Sequence, residues 1–133
     1  MKKISLILLL LTFSTISNSA FDKERYCRGR TKIETRYAEW GKELQQDMLQ
    51  NCRLKDVNIC LELYVEKIKD SEAKDMKNFR DSINSNQDSN EVARLLTITD
   101  IGEAHVAAII SLKTLKSVDR IVNEKYIECL SVK

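Results

Sequence analysis

The chain contains no proline, and its only glycines lie at positions 29, 41 and 102. Proline and glycine are the residues that most often interrupt helices, so long helices can form over most of this sequence. Charged residues make up 32% of the chain and aromatic residues 6%, a balance typical of helical proteins rather than of sheets. The sequence therefore predicts an all-α fold.

Apolar residues recur at three- and four-residue spacing along most of the chain, which predicts three long helices and one short helix. The long helices cover residues 22–51, 56–83 and 100–129, and the short one covers residues 91–96. The polar run at 84–90 predicts an exposed loop, because its residue types favour turns. We expect the helices to form an antiparallel bundle braced by disulfides.

The helix predicted at residues 100–129 is the longest without an interruption, and we expect it at the centre of the bundle. Asp100 and Glu103 have the spacing of an N-cap residue and its capping-box partner. Val106 and Ile110 widen the apolar stripe in the first half of this helix. We therefore expect that half to be buried on more than one side.

The N-terminal segment has the pattern of a secretory signal peptide. Two lysines precede an apolar stretch at 4–13, and small and polar residues then lead to Ala20, where cleavage is predicted. The apolar stretch is shorter than the roughly 20 residues that a membrane span needs. We predict a signal peptide at 1–20, a single helical domain at 21–133, and no membrane span after cleavage. The domain is expected to be exported to the periplasm or secreted.

Cleavage of the signal peptide leaves a domain without net charge. The full chain has 22 basic and 20 acidic residues, and cleavage removes two of the basic ones, Lys2 and Lys3. Binding of nucleic acid depends on a basic surface that attracts phosphates. We therefore expect no nucleic-acid partner.

The predicted domain retains four cysteines, Cys27, Cys52, Cys60 and Cys129. An even number in an exported chain predicts two disulfides. No metal site is expected, because zinc sites commonly use closely spaced Cys-x-x-Cys pairs, which are missing, and the chain has one histidine. Four cysteines permit three pairings, and the sequence alone does not choose among them.

The favoured pairing joins Cys52 to Cys60 across the first turn between helices, and Cys27 to Cys129. Three straight helices would place Cys27 and Cys129 about 40 Å apart, whereas a disulfide needs Cα atoms within about 7 Å. This pairing therefore requires a long helix to fold back. A straight bundle would instead join Cys129 to Cys52 or Cys60.

Two places are candidates for the fold-back. Gly41 interrupts the apolar pattern of the first helix directly after Trp40, where a bend or a close contact between helices is expected. Residues 70–74 of the second helix are polar apart from Ala73, so the apolar face narrows there.

The sequence contains no recognisable motif for catalysis, metal binding or cofactor binding. His105 is the only histidine, and it lies near Asp100 and Glu103. Because no nucleophile is evident beside it, we expect a half-buried residue bonded to a neighbouring acid or to water. Haem ligation would need His105 with Met48 or Met76, and methionines at helical spacing are usually core residues. We predict no enzyme activity and no cofactor.

Tyr26, Tyr37 and Trp40 lie at helical spacing on the first helix. Aromatic residues in this pattern are usually part of the core. Tyrosine and tryptophan are also enriched in the hot spots of protein interfaces. These three residues are therefore the candidates for binding a partner.

The function expected from the sequence is that of a small exported, non-enzymatic protein that binds another protein, as an inhibitor or an immunity protein does. This hypothesis rests on elimination and on a general likeness, because such proteins are often small, helical and disulfide-bonded. The alternative is an accessory or structural component of an envelope secretion or conjugation assembly. A homodimer is compatible with both hypotheses, and an enzymatic hypothesis would rest on His105 alone.

Overall fold

The computed structural model describes residues 22–52, 56–85 and 91–132. The predicted signal peptide and most of the predicted loop at 84–90 lie outside these residues. The described residues form four helices and no strand, which confirms the all-α fold. The helices are α1 (Lys23–Asn51), α2 (Val57–Ser85), α3 (Glu91–Lys113) and α4 (Val118–Ser131).

The first two helices begin within one residue of their predicted starts, and an aspartate caps each of them. The side chain of Asp22 accepts a hydrogen bond from the backbone N–H of Arg25 at 3.1 Å, and the side chain of Asp56 accepts one from Asn58 at 2.8 Å. Both aspartates thereby satisfy N–H groups that a helix leaves without an internal partner.

The second half of the chain departs from the prediction. The break expected at 97–99 does not exist, because α3 continues from Glu91 to Lys113. The helix predicted at 100–129 is instead divided, and a turn at 114–117 separates α3 from α4. The bundle still has three long helices and one short one, but the short helix is the last and not the third.

The predicted capping box at Asp100 is wrong for the same reason. Asp100 lies inside α3, and its carboxylate accepts a hydrogen bond from the hydroxyl of Tyr26 on α1. The N-cap after the true break is Ser117, whose hydroxyl oxygen accepts from the N–H of Arg120 at 3.1 Å. A capping signal therefore occurs at both positions, and only tertiary structure distinguishes them.

Side chains of α1 stabilise the end of α3. The amide of Gln45 donates to the carbonyls of Leu112 and Thr114 at 3.0 and 2.9 Å, and Lys42 donates to Thr114 at 2.8 Å. These bonds satisfy carbonyls that the last turn of a helix leaves without partners. They hold the turn at 114–117 against α1, so that α4 returns alongside α1.

This return brings the ends of the described chain together. Cys27 is bonded to Cys129 with a Cα–Cα distance of 5.9 Å, and Cys52 is bonded to Cys60 with a Cα–Cα distance of 6.2 Å. This is the pairing favoured from the sequence. The predicted places of the fold-back are wrong, however, because α1 continues through Gly41 and α2 continues through 70–74.

Of the two roles expected for Gly41, a bend or a close contact between helices, the structure confirms the close contact, which is between α1 and α3. A Cβ atom at this position would lie 2.3 Å from the carbonyl oxygen of Ala108 and 2.8 Å from the Cβ of Ser111. Ala38 and Ala107 continue the same seam of small buried residues. The hydroxyl of Ser111 donates to the carbonyl of Ala38 at 2.6 Å across it. The two backbones can approach closely only because these side chains are small.

The helices are arranged around α1, which packs along both α3 and α4, while α2 packs mainly on α3. One cluster of buried residues joins α1, α2 and α3 around Tyr64, Ile68 and Leu112. A second, smaller cluster joins α1, α3 and α4 around Ala38 and Ile121. On the side of α3 opposite α1, Ile109 packs against the first cluster, whereas Leu95, Ile98 and Val106 are exposed.

Candidate functional site

His105 lies in the interior rather than half-buried, with 1% of its surface exposed. Its Nδ1 donates to the carbonyl of Ile101 at 2.7 Å, since a carbonyl can only accept. In the neutral ring, Nε2 is then the acceptor for the hydroxyl of Ser71, at 3.1 Å. Asp75 lies 3.6 Å from the same nitrogen. The side chains that His105 contacts through Nε2 are thus on α2, and neither Asp100 nor Glu103 is among its partners.

The Ser71–His105 pair resembles a catalytic serine and its histidine base, but within the described residues it lacks an oxyanion hole and a carboxylate that would orient the histidine ring. Ser71 lies in the middle of α2, where the backbone N–H groups are bonded within the helix and cannot stabilise an oxyanion. Asp75 faces the nitrogen that Ser71 uses, and not the opposite one that would orient the ring. Asp75 also accepts a hydrogen bond from Tyr37 at 2.9 Å. The cluster ties α2 to α1 and α3.

The three aromatic candidates for partner binding do not form one surface. The rings of Tyr37 and Trp40 lie edge to face with centroids 6.1 Å apart, and both are half-buried against the core. Burial, together with the hydrogen bond to Asp75, raises the pKa of Tyr37. Tyr26 lies three turns earlier on α1, beside the Cys27–Cys129 disulfide. Only Tyr26 is part of the groove described next.

A groove of about 660 Å³ lies between the start of α1, the first half of α3 and the end of α4; we call it the N-terminal groove. Its apolar lining comes from Leu96, Val106, Val132 and the Cys27–Cys129 disulfide. Its charged and polar lining comes from Lys23, Tyr26, Arg30, Thr99, Glu103 and Glu128.

A buried charge cluster lies beneath this groove and is made of Arg30, Glu34, Glu103 and Lys125. The Nε of Arg30 lies 3.2 Å from Glu34, and the Nζ of Lys125 lies 3.9 Å from Glu34 and forms a short ion pair with Glu103. Glu34 is 1% exposed and Lys125 is 4% exposed. Burial raises the pKa of Glu34, because it outweighs the attraction of Arg30 and Lys125.

The charges in this cluster balance, with two cations against two carboxylates. Removing charges from water is costly, and such a cluster persists only where every charge is matched by another. The cluster joins α1, α3 and α4, so it fixes the three helices that form the groove. The sequence analysis did not identify Lys125. The signal was its spacing of four residues from both Ile121 and Cys129, which places it on the buried face of α4.

The rim of the groove is held by further contacts between the ends of α1 and α4. Lys23 donates to the carbonyl of Leu130 at 3.1 Å and to that of Val132, which satisfies carbonyls at the end of α4. The guanidinium of Arg30 lies 5.8 Å from the ring centre of Tyr26. Together with the disulfide, the bonds from Lys23 hold the ends of α1 and α4 against each other at the rim.

A second exposed surface is the side of α3 that faces away from α1; we call it the α3 face. Leu95 is 58% exposed, and Ile98 and Val106 are each 41% exposed. By length and composition, Ala93–Lys113 could also cross a membrane, although the core helix of a soluble protein meets the same criterion. The sequence analysis expected the first half of the helix at 100–129 to be buried on more than one side. This part of α3 does pack against α1, α2 and α4, and Val106 on the remaining side is exposed.

Within residues 22–52, 56–85 and 91–132, no group of three or more His, Cys, Asp or Glu side chains is arranged to hold a metal ion. Comparison with family models, with curated proteins and with solved structures found no match. The function is therefore argued from the two surfaces themselves.

Proposed function

We propose that this chain is a small exported, non-enzymatic protein that binds another protein through the N-terminal groove, in the manner of an inhibitor or an immunity protein. The pattern of residues 1–20 supports export, and two disulfides are compatible with an oxidising compartment. The site proposed for the partner is the groove between α1, α3 and α4.

The observation that carries this proposal is a groove whose shape is fixed before any partner arrives. The Cys27–Cys129 disulfide and the bonds from Lys23 hold its walls. A preformed surface loses little conformational entropy on binding, so more of the contact energy appears as affinity. Its volume of about 660 Å³ is sufficient for one or two apolar side chains from a partner.

The chemistry of the rim indicates what the partner presents. Glu128 lies at the edge of the apolar lining, and its side chain is 68% exposed. Its nearest cation, Lys125, is 3.9 Å away and is shared with Glu34 and Glu103. A partner segment with an apolar side chain beside a lysine or arginine would match this arrangement.

The test is a pull-down from envelope extract with the oxidised protein, quantified by mass spectrometry. The groove variants are Val132→Asp and Glu128→Arg, and the control is Leu63→Asp, an exposed position on α2 outside the groove. We expect the wild type and the control to retain one partner in stoichiometric amount. Both groove variants should lose it at least tenfold, a change of about 1.4 kcal/mol. Absence of a stoichiometric partner, or equal retention by the groove variants, contradicts the proposal.

The alternative is an accessory component of an envelope secretion or conjugation assembly, and the exposed apolar residues of the α3 face favour it. Such a component would co-purify with membrane proteins through that face. A variant with Leu95→Ser and Ile98→Ser would then lose those proteins, whereas the groove variants would keep them.

A further inference from the structure

The α3 face is symmetric about Gly102. Ile98 and Val106 lie four residues before and after this glycine. Leu95 lies seven residues before it, and Ile109, which is half-buried against the first core cluster, lies seven residues after it. Seven residues are close to two helical turns, so all four apolar side chains lie on the same side of α3 as Gly102. A helix face of this kind has the same apolar pattern when it is read in either direction.

The charges on α3 follow the same symmetry. Glu91 lies eleven residues before Gly102 and Lys113 lies eleven residues after it, and eleven residues are close to three turns. Both side chains are exposed, and they are of opposite sign. Two antiparallel copies of this face would therefore place each Glu91 beside the Lys113 of the other copy.

Gly102 itself is not explained by packing within the chain. A Cβ atom there would meet only one atom within 4 Å, the Oε2 of Glu72 at 3.7 Å, which is an ordinary contact. Glycine is nevertheless among the poorest helix formers, and Gly102 lies in the interior of α3. Gly41 shows what a glycine does elsewhere in this protein, where it allows another helix backbone to come close.

We propose that a second copy of this chain binds the α3 face, with two α3 helices packed antiparallel and crossing at Gly102. The two-fold axis passes through the crossing point, so one patch serves both copies. Ile98 packs against Val106 of the other copy, Leu95 packs against the exposed part of Ile109, and two Glu91–Lys113 ion pairs close the ends. The face runs about 33 Å from Glu91 to Lys113.

A lipid surface is the other occupant that such an apolar face could take. It would account for the exposed leucine, isoleucine and valine. It would not account for a glycine at the centre, nor for charges of opposite sign at equal distances from that glycine. The symmetry therefore favours a second copy. Val106 lines both the α3 face and the N-terminal groove, whereas Glu91, Gly102 and Lys113 do not line the groove, so the substitutions tested below leave the groove unchanged.

The protein is expressed from its full coding sequence and purified with its disulfides oxidised. The test is sedimentation equilibrium at protein concentrations of about 1 to 200 μM, at low and at high salt. We expect the wild type to form a dimer that weakens with salt. Glu91→Lys and Lys113→Glu should each raise the dissociation constant roughly tenfold, because each brings like charges together at both ends of the dimer. The double variant E91K/K113E should restore the dimer, because it re-forms both pairs with their signs exchanged.

Glycine substitutions make a second and independent test. Gly102→Ala should raise the melting temperature of the monomer while weakening the dimer, because the new methyl groups meet at the crossing point. The control is Gly29→Ala, where a Cβ meets nothing within 4 Å, so it should leave the dimer unchanged. Circular dichroism establishes that each variant is folded. The inference is overturned if the wild type stays monomeric, or if it binds anionic phospholipid vesicles instead of dimerising. It is also overturned if the double variant E91K/K113E does not restore the dimer.

Discussion

Replacing Lys125 by methionine removes one cation from the buried charge cluster and leaves an unbranched apolar side chain that is one atom shorter. Lys125 is 4% exposed, and its loss leaves the 1% exposed Glu34 with Arg30 as its remaining cation, 3.2 Å away. Breaking a buried ion pair from one side costs about 3–5 kcal/mol, because the remaining charge keeps its desolvation penalty. Arg30 remains and Glu103 is partly exposed, so we expect about 3 kcal/mol, or a fall in Tm of roughly 12 °C.

The measurement is urea unfolding of the oxidised protein, followed by circular dichroism, with Lys116→Met as the matched control. Lys116 pairs with Glu124 at 2.8 Å, but both side chains are substantially exposed, so its loss should cost less than about 1 kcal/mol. The loss of unfolding free energy in the double variant E34Q/K125M should be smaller than the sum of the losses in the two single variants, by more than about 1 kcal/mol. The reasoning is refuted if Lys125→Met loses no more unfolding free energy than Lys116→Met, or if the two single losses simply add in the double variant.

The pH dependence of this variant follows from the raised pKa of Glu34. The folded protein holds the proton of Glu34 more tightly than the unfolded chain does, so the ionised carboxylate lowers stability at neutral pH. That loss disappears as the pH falls through the raised pKa to below the ordinary value of about 4.5. The deficit of Lys125→Met should therefore be largest at pH 7 and should shrink towards pH 4.

Two further predictions concern the glycines and the disulfides. In thermal unfolding, Gly41→Ala should destabilise the protein by at least about 3 kcal/mol, because its Cβ would lie 2.3 Å from a carbonyl oxygen of α3. Gly29→Ala is the control, and it should stabilise the protein by up to about 1 kcal/mol because its Cβ meets nothing within 4 Å. Replacing both cysteines of the Cys27–Cys129 disulfide by serine should lower the free energy of unfolding in urea by about 2 kcal/mol more than the same change in the Cys52–Cys60 disulfide. The first disulfide joins residues 102 positions apart and the second joins residues 8 positions apart, so the first restricts the unfolded chain more. Equal losses for the two disulfides would contradict the second prediction.

The first two helices could be predicted from the sequence because their local signals agree with their surroundings. Asp22 and Asp56 precede unbroken helical patterns, and each side chain caps the helix that follows. The break between α3 and α4 could not be predicted, because the turn contains neither glycine nor proline. Leu115 even continues the helical spacing of apolar residues, yet it is 95% exposed in that turn. What ends α3 is the pair of α1 side chains, Lys42 and Gln45, that bind its last carbonyls.

The N-terminal groove is formed by residues that are distant in sequence, so only part of its lining could be predicted. Tyr26 was singled out for its type and position, and it does line the groove. The pairing of Cys27 with Cys129 was favoured from the sequence, and it implied that the two ends meet. The ion pairs of Lys125 arise only after α4 returns along α1, so no local pattern specifies them.

The return of α4 along α1 creates the groove, and a disulfide map of the oxidised protein tests it most directly. Proteolysis without reduction, followed by mass spectrometry, should yield one peptide pair joining Cys27 to Cys129 and another containing Cys52 bonded to Cys60. A peptide pair joining Cys52 or Cys60 to Cys129 would contradict the return of α4, because it would require the straight bundle in which the groove does not form.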